Sequence, residues 1–226
     1  MKILLLGAGK TGALVADVAR ERGHVVTVLR SADNAHGSGL TPELLTPIDV
    51  AIDFTTPDCV LANIGACIAG KKNMVVGTTG WYADIPKIRE EVEKHATGFV
   101  YGSNFSIGVN LFFDLVKTSA PALQHKYLPH IYERHHVHKK DAPSGTAVTI
   151  QTLLEKDSDV EVGVTSFREG EVVGMHELVL DSTHDTIYLC HDAKSRRGFA
   201  EGAVRAAEWI AGKKGFFDFK DVWREV

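Results

Sequence analysis

Four consecutive apolar residues, Ile3-Leu4-Leu5-Leu6, run straight into Gly7-Ala8-Gly9-Lys10-Thr11-Gly12. Ala13, Leu14, Val15, Val18 and Ala19 then recur with helical spacing up to Gly23. A segment apolar at every position suits a strand buried on both faces. Between such a strand and a helix, the three glycines have separate uses. The first makes the turn, the second lets the backbone approach a pyrophosphate, and the third lets the helix pack on the strand. A tight turn that binds nothing would need less. The N-terminal position in a strand–helix–strand frame favours dinucleotide binding.

Residues 25–29, 48–54, 73–76 and 99–101 read as further strands, with helices over 60–69 and 82–94. Strands alternating with helices predict a parallel sheet covered on both sides, with ligands beyond the carboxyl ends of the strands. Three motifs fall at such ends: Gly7–Gly12, Thr55-Thr56-Pro57 and Gly77-Thr78-Thr79-Gly80. The pattern changes after Asn104. A connecting helix over 109–123, a strand over 131–135 and a helix over 146–154 precede three β-like runs, 160–167, 172–180 and 186–190. Their short links predict antiparallel pairing. An amphipathic helix over 199–211 would return to the first domain, with Ala203, Val204, Ala207 and Ile210 on one face. The expected fold is α/β. A Rossmann-like parallel-sheet domain comprises residues 1–105 and 196–226, and an α+β substrate domain with a mixed sheet comprises 106–195.

Length, 226 residues, allows one large domain or two modest ones. A net charge of −4 supplies no global basic field for nucleic acid or an anionic membrane, so neither is an expected partner. The three cysteines, Cys59, Cys67 and Cys190, form no CxxC pair and point to a reducing compartment. No apolar run reaches the roughly 18 residues of a membrane span, and the N-terminal apolar stretch is too short for a signal peptide. A cytoplasmic location is expected.

The second strand ends Leu29-Arg30-Ser31, where NAD binders carry an acid for the ribose 2′-OH. A guanidinium and a hydroxyl suit the 2′-phosphate, so NADPH is expected in preference to NADH. A second cluster, residues 133–147, packs His135, His136, His138, Lys139 and Lys140 ahead of Asp141-Ala142-Pro143-Ser144-Gly145-Thr146. Pro143 presets the backbone, Ser144 suits an N-cap, and Gly145 and Thr146 would offer unpaired N–H groups. Cations beside a helix start make a site for a carboxylate-rich small molecule, and a histidine there can move a proton near neutral pH. The histidine spacing matches no common zinc pattern, so no metal is expected.

The run Glu133-x-His135-His136-x-x-Lys139-x-Asp141-Ala142-Pro143-Ser144-Gly145-Thr146-Ala147 resembles the signature of bacterial dihydrodipicolinate reductases. Asp53-Phe54-Thr55, Gly77–Gly80, Asn104-Phe105-Ser106-x-Gly108-Val109-Asn110, Ser195-Arg196 and Gly202-Ala203-Val204-Arg205-Ala206-Ala207 agree in order. The resemblance implies NAD(P)H-dependent reduction of 4-hydroxy-tetrahydrodipicolinate in diaminopimelate and lysine biosynthesis. It implies His135 as proton donor and acceptor and Lys139 as second catalytic cation. His136, Gly145 and Thr146 would hold the substrate's carboxylates. The nicotinamide would lie near Gly77, Thr78, Thr79 and the backbone of Gly102, Ser103, Asn104 and Phe105. A homotetramer joined through substrate-domain sheets is also implied. The chain departs from the family in a tighter glycine loop, in the missing acid after the second strand, and in a short stretch before Val164. Two rivals remain: another imino- or amino-acid reductase on the same architecture, and an NADP(H) sensor without chemistry. A sensor has no use for histidines and lysines clustered at an anion-binding helix start.

Overall fold

The structure, a computed structural model, describes residues 1–156 and 158–226. It divides into two compact units, Met1–Ile107 with Arg197–Val226, and Gly108–Arg196. The chain begins with β1 (Lys2–Leu6), α1 (Lys10–Glu21), β2 (Val25–Leu29), α2 (Pro42–Leu45) and β3 (Val50–Asp53). Next come α3 (Pro57–Ala69), β4 (Asn73–Val76), α4 (Ile85–His95) and β5 (Gly98–Tyr101). Then α5 (Ile107–Ser119) leads into β6 (Leu128–His135), α6 (Gly145–Glu155), β7 (Gly163–Arg168), β8 (Met175–Asp181) and β9 (Thr186–Asp192). The chain returns to the first unit with α7 (Arg197–Ile210), β10 (Gly215–Asp218) and α8 (Phe219–Val222).

The first unit is built on six parallel strands in the order β10-β5-β4-β3-β1-β2. Ile3, Leu5, Ile52, Val75 and Val100 pack with Val15, Ala19, Ala203, Ala207 and Ile210 of α1 and α7. Leu4, Leu6, Ala51, Met74, Val76 and Phe99 pack with Val60, Ile64, Ile88 and Val92 of α3 and α4. Two buried faces explain why these strands read as unbroken apolar runs. Cys67 lies in the second layer, where burial pushes its thiol up to about 12; it is packing, not chemistry. Strand β10 has no counterpart in the sequence reading. It is four residues long, follows Gly212-Lys213-Lys214, and gains its place by pairing with β5 (Phe216 opposite Phe99).

The chain steps from β1 to β2 on one side and from β3 to β5 on the other. The order therefore reverses between β1 and β3, the switch point at which open α/β sheets bind ligands. The returning helix, as expected, packs against α1 of the first unit. Arg22 grips Glu208 of α7 through two hydrogen bonds, at 2.9 and 2.7 Å, and His24 adds a third at 2.7 Å.

The second unit is a mixed sheet, β7-β6-β8-β9. Ile131, Leu178 and Leu180 pack against Ile150 and Leu154 of α6 and Phe112 and Val116 of α5. One expectation is corrected here. The three late β-runs do not form a continuous antiparallel set. Strand β7 pairs parallel with β6, while β8 lies antiparallel on the other side of β6 and pairs in turn with β9. The cause is α6, which supplies the crossover that parallel pairing needs; short links between the later runs do not decide it.

A Cβ at Gly202 of α7 would run into the carbonyl oxygen of Phe105. Gly202→Ala is therefore expected to destabilise the protein by about 1–3 kcal/mol, read as a lowered unfolding midpoint.

Candidate active site

In the first unit, β1 ends in a turn at Gly7, whose φ is +93°. A Cβ at Gly7 would collide with the Phe54 carbonyl oxygen, and one at Gly12 with the Gly7 carbonyl oxygen. The protein's own packing thus demands both glycines. Gly9, the N-cap of α1, is different: nothing lies within 4 Å of where its Cβ would be. The fold gives no internal reason for a glycine there. A group brought close to the backbone at the start of α1 does, and a pyrophosphate is such a group.

A cavity of about 280 Å³ opens at this point. It is lined by Gly9, Lys10, Thr11 and Gly12 after β1, Phe54, Thr55 and Pro57 after β3, and Gly77, Thr78 and Thr79 after β4. These are the carboxyl ends at the switch point. Ala8 is exposed at the loop tip and Gly7 is buried beneath it. Arg30 and Ser31 are exposed just after β2, outside the cavity lining. The Gly7 N–H donates to the Leu29 carbonyl at 3.1 Å, so their loop is tied to the glycine turn. Gly102, Ser103, Asn104 and Phe105 follow β5 and also lie outside the lining. The Phe105 ring packs against Phe54 and Phe219, so only its backbone suits a ligand.

The sequence sets Asp53 near the end of a strand and gives it no task. It is fully buried at the end of β3 and accepts from Thr55 N–H (2.9 Å), Thr55 Oγ1 (2.7 Å), Thr78 Oγ1 (2.6 Å) and Asn63 Nδ2 (2.8 Å). Asn34 Nδ2 donates to Asn63 Oδ1 at 2.8 Å. A buried carboxylate needs such donors, and here they pin the β3 and β4 loops together and reach the loop after Arg30.

In the second unit, β6 carries Ile131, Glu133 and His135 on its buried side by simple alternation. His135 Nδ1 is hydrogen-bonded to a Glu133 carboxylate oxygen. Arg168 donates from Nη2 to the other Glu133 oxygen at 2.9 Å and to the Asp141 carbonyl at 2.6 Å. Burial pushes the Glu133 carboxyl up, but hydrogen bonds from Ser166 and Arg168, with His135 and Arg168 charge, hold it below the usual range. Burial pushes the His135 imidazole down; the Glu133 carboxylate opposes this, while Lys139 and Arg168 add to it. A Cβ at position 174 would come within 3.0 Å of His135 Nε2, so Gly174 leaves room at that nitrogen.

Lys139 pairs with Asp141 at 2.9 Å and is largely covered. His136 Nε2 accepts from Arg196 Nη2 at 3.2 Å, and its buried Nδ1 finds no partner among the described residues. Ser144 caps α6 as its sequence position suggests, accepting from the Ala147 N–H at 3.2 Å. Gly145 is exposed, with nothing within 4 Å of a Cβ position, and Thr146 is half-buried beside it. Here again the open glycine lies at a helix N-terminus suited to an anion. His138 stands apart, exposed and loosely opposite Glu171 at 3.9 Å.

The sequence gives no signal for Arg168 or His176. His176 sits opposite Glu133 on β8, is 4% exposed, and shares a 2.9 Å hydrogen bond with Ser144 Oγ through Nε2. Burial, with the neighbouring His135, holds it neutral down to about 3. Glu133, His135 and His176 bring possible ligand atoms within 4.8 Å of one another. Arg168 holds the second oxygen of that carboxylate and Ser144 engages His176 Nε2, while the buried His176 Nδ1 finds no hydrogen-bond partner among the described residues.

A glycine loop at a switch point and a carboxylate-backed imidazole beside a capped helix start are the parts of a nicotinamide-linked oxidoreductase. Comparison with known proteins agrees. Residues 1–105 match the model of "Dihydrodipicolinate reductase, N-terminus" and residues 108–223 that of the C-terminus. The C-terminal match spans the second unit and the returning α7 and β10. A 4-hydroxy-tetrahydrodipicolinate reductase of Christiangramia forsetii is 40% identical over 240 residues, covering 100% of this chain and 99% of that protein. One from Neisseria meningitidis serogroup B is 33% identical, covering 98% and 97%. The fold of a dipicolinate-bound dihydrodipicolinate reductase from Paenisporosarcina sp. TG-14 superposes with a TM-score of 0.81 at 21% identity, covering 98% and 99%. The chain belongs to the dihydrodipicolinate reductase family, and it is an oxidoreductase that uses NAD(P)H. No helix among the described residues is long and apolar enough to cross a membrane.

Two outcomes are expected. Gly9→Ala should weaken NADPH binding by about tenfold or more with an unchanged unfolding midpoint, whereas Gly12→Ala should lower the midpoint; calorimetric titration and thermal melts separate them. An unfolded His176 protonates near 6.5, the folded one only near 3. The unfolded state therefore binds the extra proton between these values, and stability falls with falling pH there, by up to roughly 1.4 kcal/mol per pH unit. Thermal melts from pH 7 to 4 should show this loss, and His176→Gln should flatten it.

Proposed function

We propose that this chain reduces 4-hydroxy-tetrahydrodipicolinate (dihydrodipicolinate) to tetrahydrodipicolinate, as a step of diaminopimelate and lysine biosynthesis. One observation carries the assignment of roles: an open helix start, Ser144-Gly145-Thr146, lies in the same unit as a buried imidazole, His135, and a shielded ammonium, Lys139. This is a cradle for a dicarboxylated ring with an acid to hand. The residues after β1, β3 and β4 fit the cofactor, whose reduced nicotinamide supplies the hydride when bound. Residues 1–105 with 196–226 serve as the dinucleotide-binding domain and 106–195 as the substrate-binding and oligomerisation domain.

Loss of the 4-hydroxyl group as water turns the substrate into a cyclic imine conjugated to a ring double bond, dihydrodipicolinate. As it is reduced, negative charge develops towards an enamine, and a ring carbon must take a proton. His135 gives that proton. Lys139 stabilises the developing charge, and Asp141 holds its ammonium in place. The N–H groups of Gly145 and Thr146, with His136, hold the carboxylates. Fixing the ring in this way can lower the barrier by roughly 7–11 kcal/mol in favourable cases, and a positioned acid contributes about 10²–10⁴-fold.

NADPH is the preferred cofactor, supported by the exposed Arg30 and Ser31 after β2 and by the lack of a carboxylate at that strand end. The chain acts in the cytoplasm as a homotetramer. In support, Leu128, Phe167 and Tyr188 stand exposed on the face of the second sheet opposite α6.

The test is loss of NADPH absorbance on adding substrate made freshly from pyruvate and aspartate semialdehyde. Turnover is expected; tight NADPH binding without turnover would favour the sensor reading. His135→Gln should lower kcat by about 10²-fold or more with unchanged NADPH affinity, and Lys139→Ala should damage kcat and substrate KM together. Arg30→Ala should erode the preference for NADPH over NADH. Near wild-type turnover in both the His135 and Lys139 variants would refute their roles.

A further inference from the structure

A buried and a half-buried charged residue in the second unit have no part in the roles above. Glu133 is fully buried, and Arg168 is tucked against it at the end of β7. Strand pairing sets them in place: His135 is opposite Arg168, and Glu133 lies between Ser166 on one side and His176 on the other. One Glu133 oxygen takes the His135 Nδ1 and the other takes Arg168. The same Arg168 nitrogen holds the Asp141 carbonyl at 2.6 Å, in the loop that carries Lys139 and leads to the α6 start.

We infer that Glu133 and Arg168 are positioning residues for the reduction proposed above. Glu133 keeps the neutral His135 protonated at Nδ1, so that Nε2, beside Gly174, is the nitrogen that gives and regains the reacting proton. Arg168 holds Glu133 and the substrate-binding loop in one frame.

An ionised carboxylate only accepts hydrogen bonds, so the nitrogen facing it must carry a proton. In the doubly protonated imidazole, the Nε2–H bond breaks, its electron pair stays on Nε2, and the proton forms a C–H bond with the enamine carbon's electron pair. The proton left on Nδ1 remains on Glu133. A carboxylate behind a catalytic imidazole sets the tautomer and steadies the cationic form in other acid–base enzymes. The charged or titratable groups facing His135 are Glu133 on its own strand, Arg168 on β7, His176 on β8 and Lys139 in the following loop. Glu133 is the one carboxylate of that set and favours the protonated form; burial, Lys139 and Arg168 oppose it.

Arg168 also dictates what an amide would do at 133. Its donors would face the Gln oxygen, turning the Gln NH₂ towards Nδ1 and forcing the imidazole proton onto Nε2.

The inference rests on the proposed function, and its test is readable without turnover. Nitrogen-15 NMR of the ¹⁵N-histidine-labelled full chain assigns the neutral tautomer of His135. The wild type should carry the proton on Nδ1, and Glu133→Gln should carry it on Nε2. In the NADPH assay, Glu133→Gln should lose on the order of 10–100-fold in kcat, with substrate KM nearly unchanged. A protonated acid loses activity as pH rises through its pKa. Removing the carboxylate lowers that pKa, so the alkaline limb of the kcat profile should move to lower pH. Glu133→Asp, which keeps the charge, should restore part of the rate and of the limb. A wild-type His135 protonated at Nε2 overturns the inference, and does so even where Glu133→Gln fails to fold. A Glu133→Gln protein that keeps the Nδ1 tautomer and an unmoved limb overturns it too. A wild-type chain with the Nδ1 tautomer but no reductase turnover would instead strike at the proposed function.

Discussion

A carboxylate shut inside a sheet must be satisfied or it costs the fold several kcal/mol. Glu133 is in that position, and removal of one partner of such a buried pair typically costs about 3–5 kcal/mol. Its needs bind several features of the second unit together. Strand β7 must lie parallel beside β6 in the observed register for Ser166 and Arg168 to reach the carboxylate. The crossover through α6 makes that pairing possible and delivers Ser144, Gly145 and Thr146 as a helix start. Arg168 then ties the intervening loop back to the sheet through the Asp141 carbonyl. The α6 start and the His135 imidazole therefore share one frame, and that imidazole is oriented by the group that the sheet must bury.

The first unit shows the same economy. Its one fully buried carboxylate among the described residues, Asp53, is satisfied by Thr55, Thr78 and Asn63, and those contacts tie together loops that line the cavity at the switch point. In each unit a helix begins at a glycine that the protein's own packing does not require: Gly9 at α1 and Gly145 at α6. Glycine in such a place carries an entropic cost, and close approach of a ligand to the backbone explains its presence better than any internal contact. A phosphate at one helix start and a carboxylate at the other are the anions that a nicotinamide dinucleotide and a dicarboxylic acid present.

Much of this was legible in the residue order. The parallel sheet follows from apolar runs that could only be buried on both faces, and the glycine loop, the Ser144 cap and the His135–Lys139 cluster are each built from residues close together in sequence, where local physics acts. What escaped was set by long-range pairing. Strand β10 is too short and too lysine-flanked to announce itself, and its identity comes from β5. The position of β7 beside β6 depends on a crossover, which link lengths between later strands conceal. Arg168 and His176 are 33 and 41 positions beyond His135 and reach it only through strand register. Gly7, Ala8, Arg30 and Ser31, and the segment Gly102–Phe105, lie outside the lining of the cavity that gathers Gly9, Lys10, Thr11, Gly12, Gly77, Thr78 and Thr79.

The central claim is that the α6 start and the carboxylate-backed His135 form one binding place for a planar dicarboxylate. Titrating the ¹⁵N-labelled chain with dipicolinate and following backbone amides and imidazole nitrogens tests it most directly. The account predicts saturable shifts concentrated at the Gly145 and Thr146 amides and the His135 ring. Saturable binding that leaves those three signals unmoved, while perturbing residues elsewhere, would contradict it.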